Sequence, residues 1–386
     1  MNKITRASIE SLADSQNDTV LSIYLPTHRY PTPPHMTEDQ TRYKNLIRAG
    51  REKWEAEGNN ADIEPIFQEL EAKLNDLEFW QHTTEGLAVF ASTDGITMFH
   101  LPLECEEHVC VGESYDIAPL LVLLAYDQPH YVLALAEHDT KLLRGDMYGL
   151  ELIDIDFPTS PEEALNIDEM FANSQTVRNQ DGASGAHMST SSHGPGDSNQ
   201  AGSEERLQYF RIIDGMICSS DKVDSKLPVL LAAPDNDAGD YKTLSRLPAL
   251  LDNFLPGNYT GTPLNDLHAQ SWPLVLREVG GKQQAALLER FNELRGAGKS
   301  SLDLQEITEA AEAGRVDTLL LSIIRMTTDS ITDTIAEMPI ITFDTDDQQE
   351  ELQALTHAVF SQGGTVVGLT ADDMPEQANV AAIFRY

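Results

Sequence analysis

Cysteine is scarce in this sequence: Cys105, Cys110 and Cys218 are the only three in 386 residues. An odd set without CxxC spacing excludes a disulfide framework and a cysteine-built zinc site. No apolar stretch approaches the roughly 20 residues needed to cross a bilayer, so no membrane partner is expected. The opening MNKITRASIESLADS has no apolar centre of the kind a secretory signal carries, and a cytoplasmic location is expected. Positive charge is the largest deficit. Only 26 lysines and arginines stand against 63 acids, for a net charge of −37, and just ten of the bases are lysines. Such a surface repels phosphate as a whole, which excludes broad charge-driven nucleic-acid binding and leaves no reason to expect a DNA partner. Solubility, in an ordinary or a saline cytoplasm, is the plain explanation. There is no P-loop, no GxGxxG after a strand and no GxSxG elbow. The acidic run DTDDQQEEL at 344–352 has neither the glycine nor the spacing of an EF-hand and reads as a helix N-terminus. No cofactor and no metal is expected.

What is present suits two or three domains of mixed α/β structure. Apolar residues make up 41% and charged residues 23% of the chain, enough for each domain to bury a core. Val20–Leu25 reads as a buried strand ended by Pro26 and the Pro31, Pro33, Pro34 cluster. Helices follow at about 37–57 and 63–77, then a hairpin of 86–91 and 95–101. Tyr131–Ala136, Lys141–Arg144 and Leu150–Ile155 read as a new set of strands. From 158 to 204 periodicity is lost, and the Ser-, Gly-, Asn- and His-rich core at 174–203 cannot bury enough apolar surface to order itself. Glu204–Ser219 reads as a helix and Pro228–Ala233 as a strand. The last third alternates helix (285–294), strand (316–324), helix (349–362) and strand (365–369). Asp303 and Glu306 form a capping box there, and Gly314 a left-handed cap. The order suggests an α/β/α layered domain.

One stretch departs from the acidic rule. Between His28 and Lys53 the bases Arg29, Arg42, Lys44, Arg48, Arg51 and Lys53 outnumber Glu38, Asp39 and Glu52. Arg29, Arg42, Lys44, Arg48 and Arg51 are therefore the candidate RNA contacts. His28 and His35 could join them, although turn histidines beside prolines are ordinarily just exposed. Cys105, His108 and Cys110 spell C-x-x-H-x-C, but strand alternation separates the first from the others. Asp139, Asp154, Asp156 and Asp214 could supply an acidic metal site in the middle of the chain, the weakest of the alternatives.

The order of these segments resembles that of the class I peptide-chain release factors of archaea and eukaryotes and their Pelota-like relatives. TVLSIYLPTHR is similar to the family's opening strand and turn. HYVLALAEHDTKLLRGDMYGLELIDI resembles the meander of an RNase H-like sheet. EERLQYFRIIDGMI resembles the long helix after the catalytic loop, and KLPVLLAAP the strand beyond it. LQEITEAAEAGRVDTLLL and the closing NVAAIFRY resemble the kink-turn-binding ribosomal-protein fold that ends the family. The resemblance implies three domains, 1–126, 127–265 and 266–386, the middle one carrying a long loop over about 158–203. It favours the bacterial branch of the superfamily.

The departures bear on function. The family's Gly-Gly-Gln, which positions water against the peptidyl-tRNA ester, is absent, and the spacing lands near Ser191-Ser192-His193-Gly194. His193, Gly194, Gly196 and Gln200 are the nearest chemical equivalents: loop glycines allow close backbone approach, and a glutamine amide can orient water. Gly280-Gly281-Lys282-Gln283, the literal near-match, reads as a turn between domains. The codon-reading Asn-Ile-Lys-Ser is also missing. The resemblance thus implies a ribosome-associated factor with the ribosome or tRNA as partner, a further protein docked by the last domain, and at most a peptidyl-tRNA hydrolase-like activity. A non-catalytic protein-binding scaffold that kept the fold is the alternative.

Overall fold

In the first part of the chain, β-branched and aromatic runs become four strands: β1 Val20–Pro26, β2 Gly86–Ser92, β3 Gly95–Leu101 and β4 His108–Gly112. They pair antiparallel in the order β3-β2-β1-β4. The structure is a computed structural model describing residues 3–15, 19–56, 63–136, 139–165, 198–323 and 346–386. Helices α1 Arg6–Ala13, α2 Pro33–Ala56, α3 Glu64–Ala72, α4 Leu77–Gln81 and α5 Ala118–Tyr126 accompany this sheet. Tyr43, Ile47 and Trp54 of α2 bury their side chains with Leu21, Ile23 and Leu25 of β1. Helix α2 begins four residues before its expected start, because Pro33 and Pro34 occupy a first turn, where a missing N–H costs nothing. The expected helix 63–77 breaks at Asp76, whose carboxylate caps α4 by accepting the Phe79 N–H at 3.0 Å.

The middle of the chain builds β5 His130–Ala134, β6 Lys141–Asp146, β7 Gly149–Ile153, β8 Val229–Ala233 and β9 Leu250–Pro256. Their order is β7-β6-β5-β8-β9. The first three form the expected antiparallel meander, and β8 and β9 add in parallel. Alternate residues face opposite sides. Tyr131, Leu133, Val229 and Leu231 meet α6 (Ser198–Ser219) and α7 (Asp235–Leu244), while Val132, Leu230 and Ala232 meet α8 (Leu264–Val275). The edge strand β9 has two backbone N–H groups, of Asp252 and Asn253, both donating to Glu278 at 3.0 Å.

Glu278 lies in a π-helical turn, Leu276–Gly280, which leads directly into α9 (Gly281–Arg295). The turn expected at Gly280–Gln283 is therefore helical instead. Lys282 and Glu278 pair one helical turn apart at 3.1 Å.

The last sheet, in the order β10-β13-β11-β12, joins β10 Ser300–Ser301, β11 Val316–Ile323, β12 Thr365–Thr370 and β13 Val380–Phe384. Helices α10 (Leu304–Glu312) and α11 (Asp346–Ser361) pack on it, and Phe291 of α9 joins Leu320, Leu369 and Ile383. Asp303 caps α10 through the Glu306 N–H at 2.9 Å, and Gly314 takes φ +69°.

Each sheet lies within one of the three segments read from the sequence, but packing groups the described residues into two compact units. One comprises 1–127 with 283–386, and the other 128–282. The boundary expected after 265 falls inside α8, which packs on the middle sheet. In the first unit Gln353 donates to the Ser114 carbonyl at 2.9 Å, and Tyr126 donates to that of Gly368 at 3.0 Å. A Cβ on Gly368 would come within 2.6 Å of Val122, so this close approach of α5 to β12 requires glycine.

Candidate functional site

The basic stretch lies on the turn after β1 and on α2. Arg29 is held bidentate by Glu85, at 2.6 and 2.7 Å. Arg42 contacts Glu38 at 2.5 Å and Glu107 at 3.4 Å. Arg51 pairs with Glu64 at 2.8 Å and covers the Phe67 ring. Lys53 donates to the Val109 carbonyl at 2.8 Å. Three of the five candidate arginines and lysines are thus committed to ion pairs. Lys44 and Arg48, exposed and one helical turn apart, make no ion pair among the described residues.

Asp39, which composition counted simply as an opposing acid, is fully buried. It accepts the His28 backbone N–H at 3.0 Å, and the His28 Nδ1 lies 2.8 Å from its other oxygen. His35 stacks on His28 with centroids 4.3 Å apart and planes within 7°. In the same turn Tyr30 has φ +49° and is 53% exposed. Sequence reading missed Asp39 and Tyr30, because a residue's partner and its backbone angle leave no periodic signal.

In the middle unit His193, Gly194 and Gly196 lie outside the described residues. Gln200 falls on helical backbone near the start of α6. From Arg206 onward α6 is firmly tied down. Arg206 bonds Asp240 at 2.5 Å and Asp237 at 3.3 Å, Tyr209 meets Thr140 Oγ1 at 3.0 Å, and Tyr209, Phe210, Ile213 and Ile217 are buried. Asp214, also buried, accepts from Ser245 at 2.7 Å and from Arg246 Nε at 3.0 Å.

The carboxylates considered for a metal are engaged separately. Asp139 pairs with Lys141 at 2.8 Å, Asp154 with Lys222 at 3.6 Å, and Asp214 with Arg246, while Asp156 is exposed. Cys105 is buried ahead of β4, its thiol pushed up to about 12 by desolvation. His108 and Cys110 lie on β4. Among the described residues no group of three His, Cys, Asp or Glu side chains could hold a metal ion, and no helix is long and apolar enough to cross a membrane.

A conserved-domain comparison fits this architecture. Residues 129–315, from the start of the middle sheet to just past α10, match the family model described as bacterial archaeo-eukaryotic release factor family 3. The matched segment is just under half of the chain. No curated protein matches the chain in sequence. Among solved structures, an archaeal translation termination factor, aRF1, is 13% identical over 100% of this chain and 99% of its own, with a TM-score of 0.23. Pelota of Archaeoglobus fulgidus is 14% identical over 78% of this chain and 79% of its own, with a TM-score of 0.34. Dom34 of S. cerevisiae is 12% identical over the same shares, with a TM-score of 0.36. These are loose likenesses, and the family match is the firmer finding.

Proposed function

We propose that this protein is a translation factor of the release and rescue type, which occupies a tRNA-binding site of the ribosome without hydrolysing peptidyl-tRNA. The observation that carries the reading is the family match over 129–315, which takes in the middle sheet, α6 and the segment leading into it. In release factors that position bears Gly-Gly-Gln. Here the sequence has none, and its nearest glutamine, Gln200, is on helical backbone. Both facts support occlusion over hydrolysis. The acid surface favours a second reading, a scaffold for a protein partner, because Glu85, Glu38 and Glu64 already neutralise Arg29, Arg42 and Arg51.

Ribosomes carrying peptidyl-tRNA test the occluding role. The wild-type chain, Gln200→Ala and a deletion of 191–197 are all expected to release peptide only at background, while the wild type slows the puromycin reaction. Release by the wild type that Gln200→Ala abolishes would show a hydrolase instead. An unaffected puromycin reaction would remove the occluding role.

A further inference from the structure

The turn that joins β1 to α2 is more rigidly built than a connection requires. Thr27 Oγ1 donates to the Thr84 carbonyl at 2.7 Å, Thr83 Oγ1 to that of His28 at 2.8 Å, and the Tyr30 N–H to that of Thr83. Arg29 is clamped by Glu85, and His28 is oriented by the buried Asp39. On this frame Tyr30 is held in left-handed backbone, which costs a bulky L-residue energy. The residue is 53% exposed, so burial does little to offset that cost. Strain that surrounding bonds enforce at an exposed side chain is characteristic of ligand contacts.

We infer that the aromatic side chains of this turn, the stacked His28–His35 pair and the exposed Tyr30, offer stacking surfaces for unpaired bases of single-stranded RNA. The inference rests on the translation reading for the choice of RNA over a peptide. Every nucleobase offers a π-face, and aromatic side chains bind single strands by stacking with little dependence on sequence. Parallel imidazoles 4.3 Å apart already adopt the spacing of a stack, and His35, at the exposed end, extends it outward. Stacking also suits a chain of net charge −37, since it needs little positive charge. With Arg29 committed to Glu85, phosphate attraction is left to exposed bases such as Lys44 and Arg48.

Fluorescein-labelled ten-nucleotide uridine and adenosine oligoribonucleotides, followed by anisotropy, test these stacking surfaces. The wild type and Tyr30→Phe are expected to bind alike. Tyr30→Gly and His35→Ala should each bind at least about fivefold more weakly, with the dependence on salt unchanged because no phosphate contact is lost. Glycine tolerates positive φ, so Tyr30→Gly should melt no earlier than the wild type. Absence of wild-type binding, unchanged binding by both variants, or early melting of Tyr30→Gly would overturn the proposal. Ribosome pelleting separates this failure from failure of the function. If the wild type and both variants pellet equally, the stacking role falls and the translation reading stands. If the wild type does not pellet, the reading itself falls.

Discussion

Asp116 sits just before α5, fully buried, with one carboxylate oxygen lacking a hydrogen-bond donor. The His108 Nε2 is 3.6 Å away, too far for a hydrogen bond. Desolvation raises its pKa from 3.8 to about 7, although the Ala118 N–H works in the opposite direction. The folded state therefore keeps a proton between pH 4 and 7 that the unfolded chain gives up. This contribution to stability is full below the unfolded pKa and is lost as pH rises through about 7. Between about pH 5 and 8 the loss should be about 2–3 kcal/mol. Urea unfolding of Asp116→Asn should lack this component, and equal pH slopes in both proteins would contradict it. The basic stretch divides at the same scale. Arg29→Ala should cost about 1 kcal/mol, because its bidentate pair is only partly exposed. Lys44→Ala and Arg48→Ala should change stability by under about 0.5 kcal/mol but weaken ribosome binding. Sequence showed that these bases cluster. It could not show which were spent, since Glu85 and Glu64 come from other elements.

Among the elements, strongly patterned runs were legible and interrupted ones were not. Val20–Leu25 and the 86–101 hairpin read directly because alternation and turn residues agree. Strand β9 was missed because Asp252 and Asn253 break its apolar run and Pro256 ends it. The Glu278 carboxylate takes up their N–H groups, which helps such a sequence form a sheet edge. Those bonds outweigh desolvation and hold the Glu278 pKa down to about 2. Its stabilising contribution is present above the unfolded value of 4.5 and is lost as pH falls towards 2. Glu278→Ala should lower stability near neutral pH by about 2 kcal/mol. In hydrogen exchange it should deprotect Asp252 and Asn253, and unchanged protection there would contradict the capping role. Phe210→Ala, in the buried seam between α6 and the middle sheet, should cost about 3–5 kcal/mol, read as an earlier unfolding transition.

Over the whole molecule the acid excess is spread evenly: each of the three segments read from the sequence has at least twice as many acids as bases. Self-repulsion at this charge destabilises the folded state, and salt screens it over a Debye length that shrinks to about 3 Å at 1 M. Thermal stability should therefore rise as salt is increased from about 0.05 to about 1 M, and a flat or falling profile would contradict that. The mixed α/β class was legible from the order of strands and helices. The pairing of the first and last segments in one unit was not, because it depends on contacts such as Gln353 to Ser114 that lie far apart in sequence. The translation reading is tested most directly by co-sedimentation of the chain with ribosomes through a salt series. The account predicts pelleting at low salt that weakens as salt rises, and absence of pelleting even at the lowest salt would contradict it.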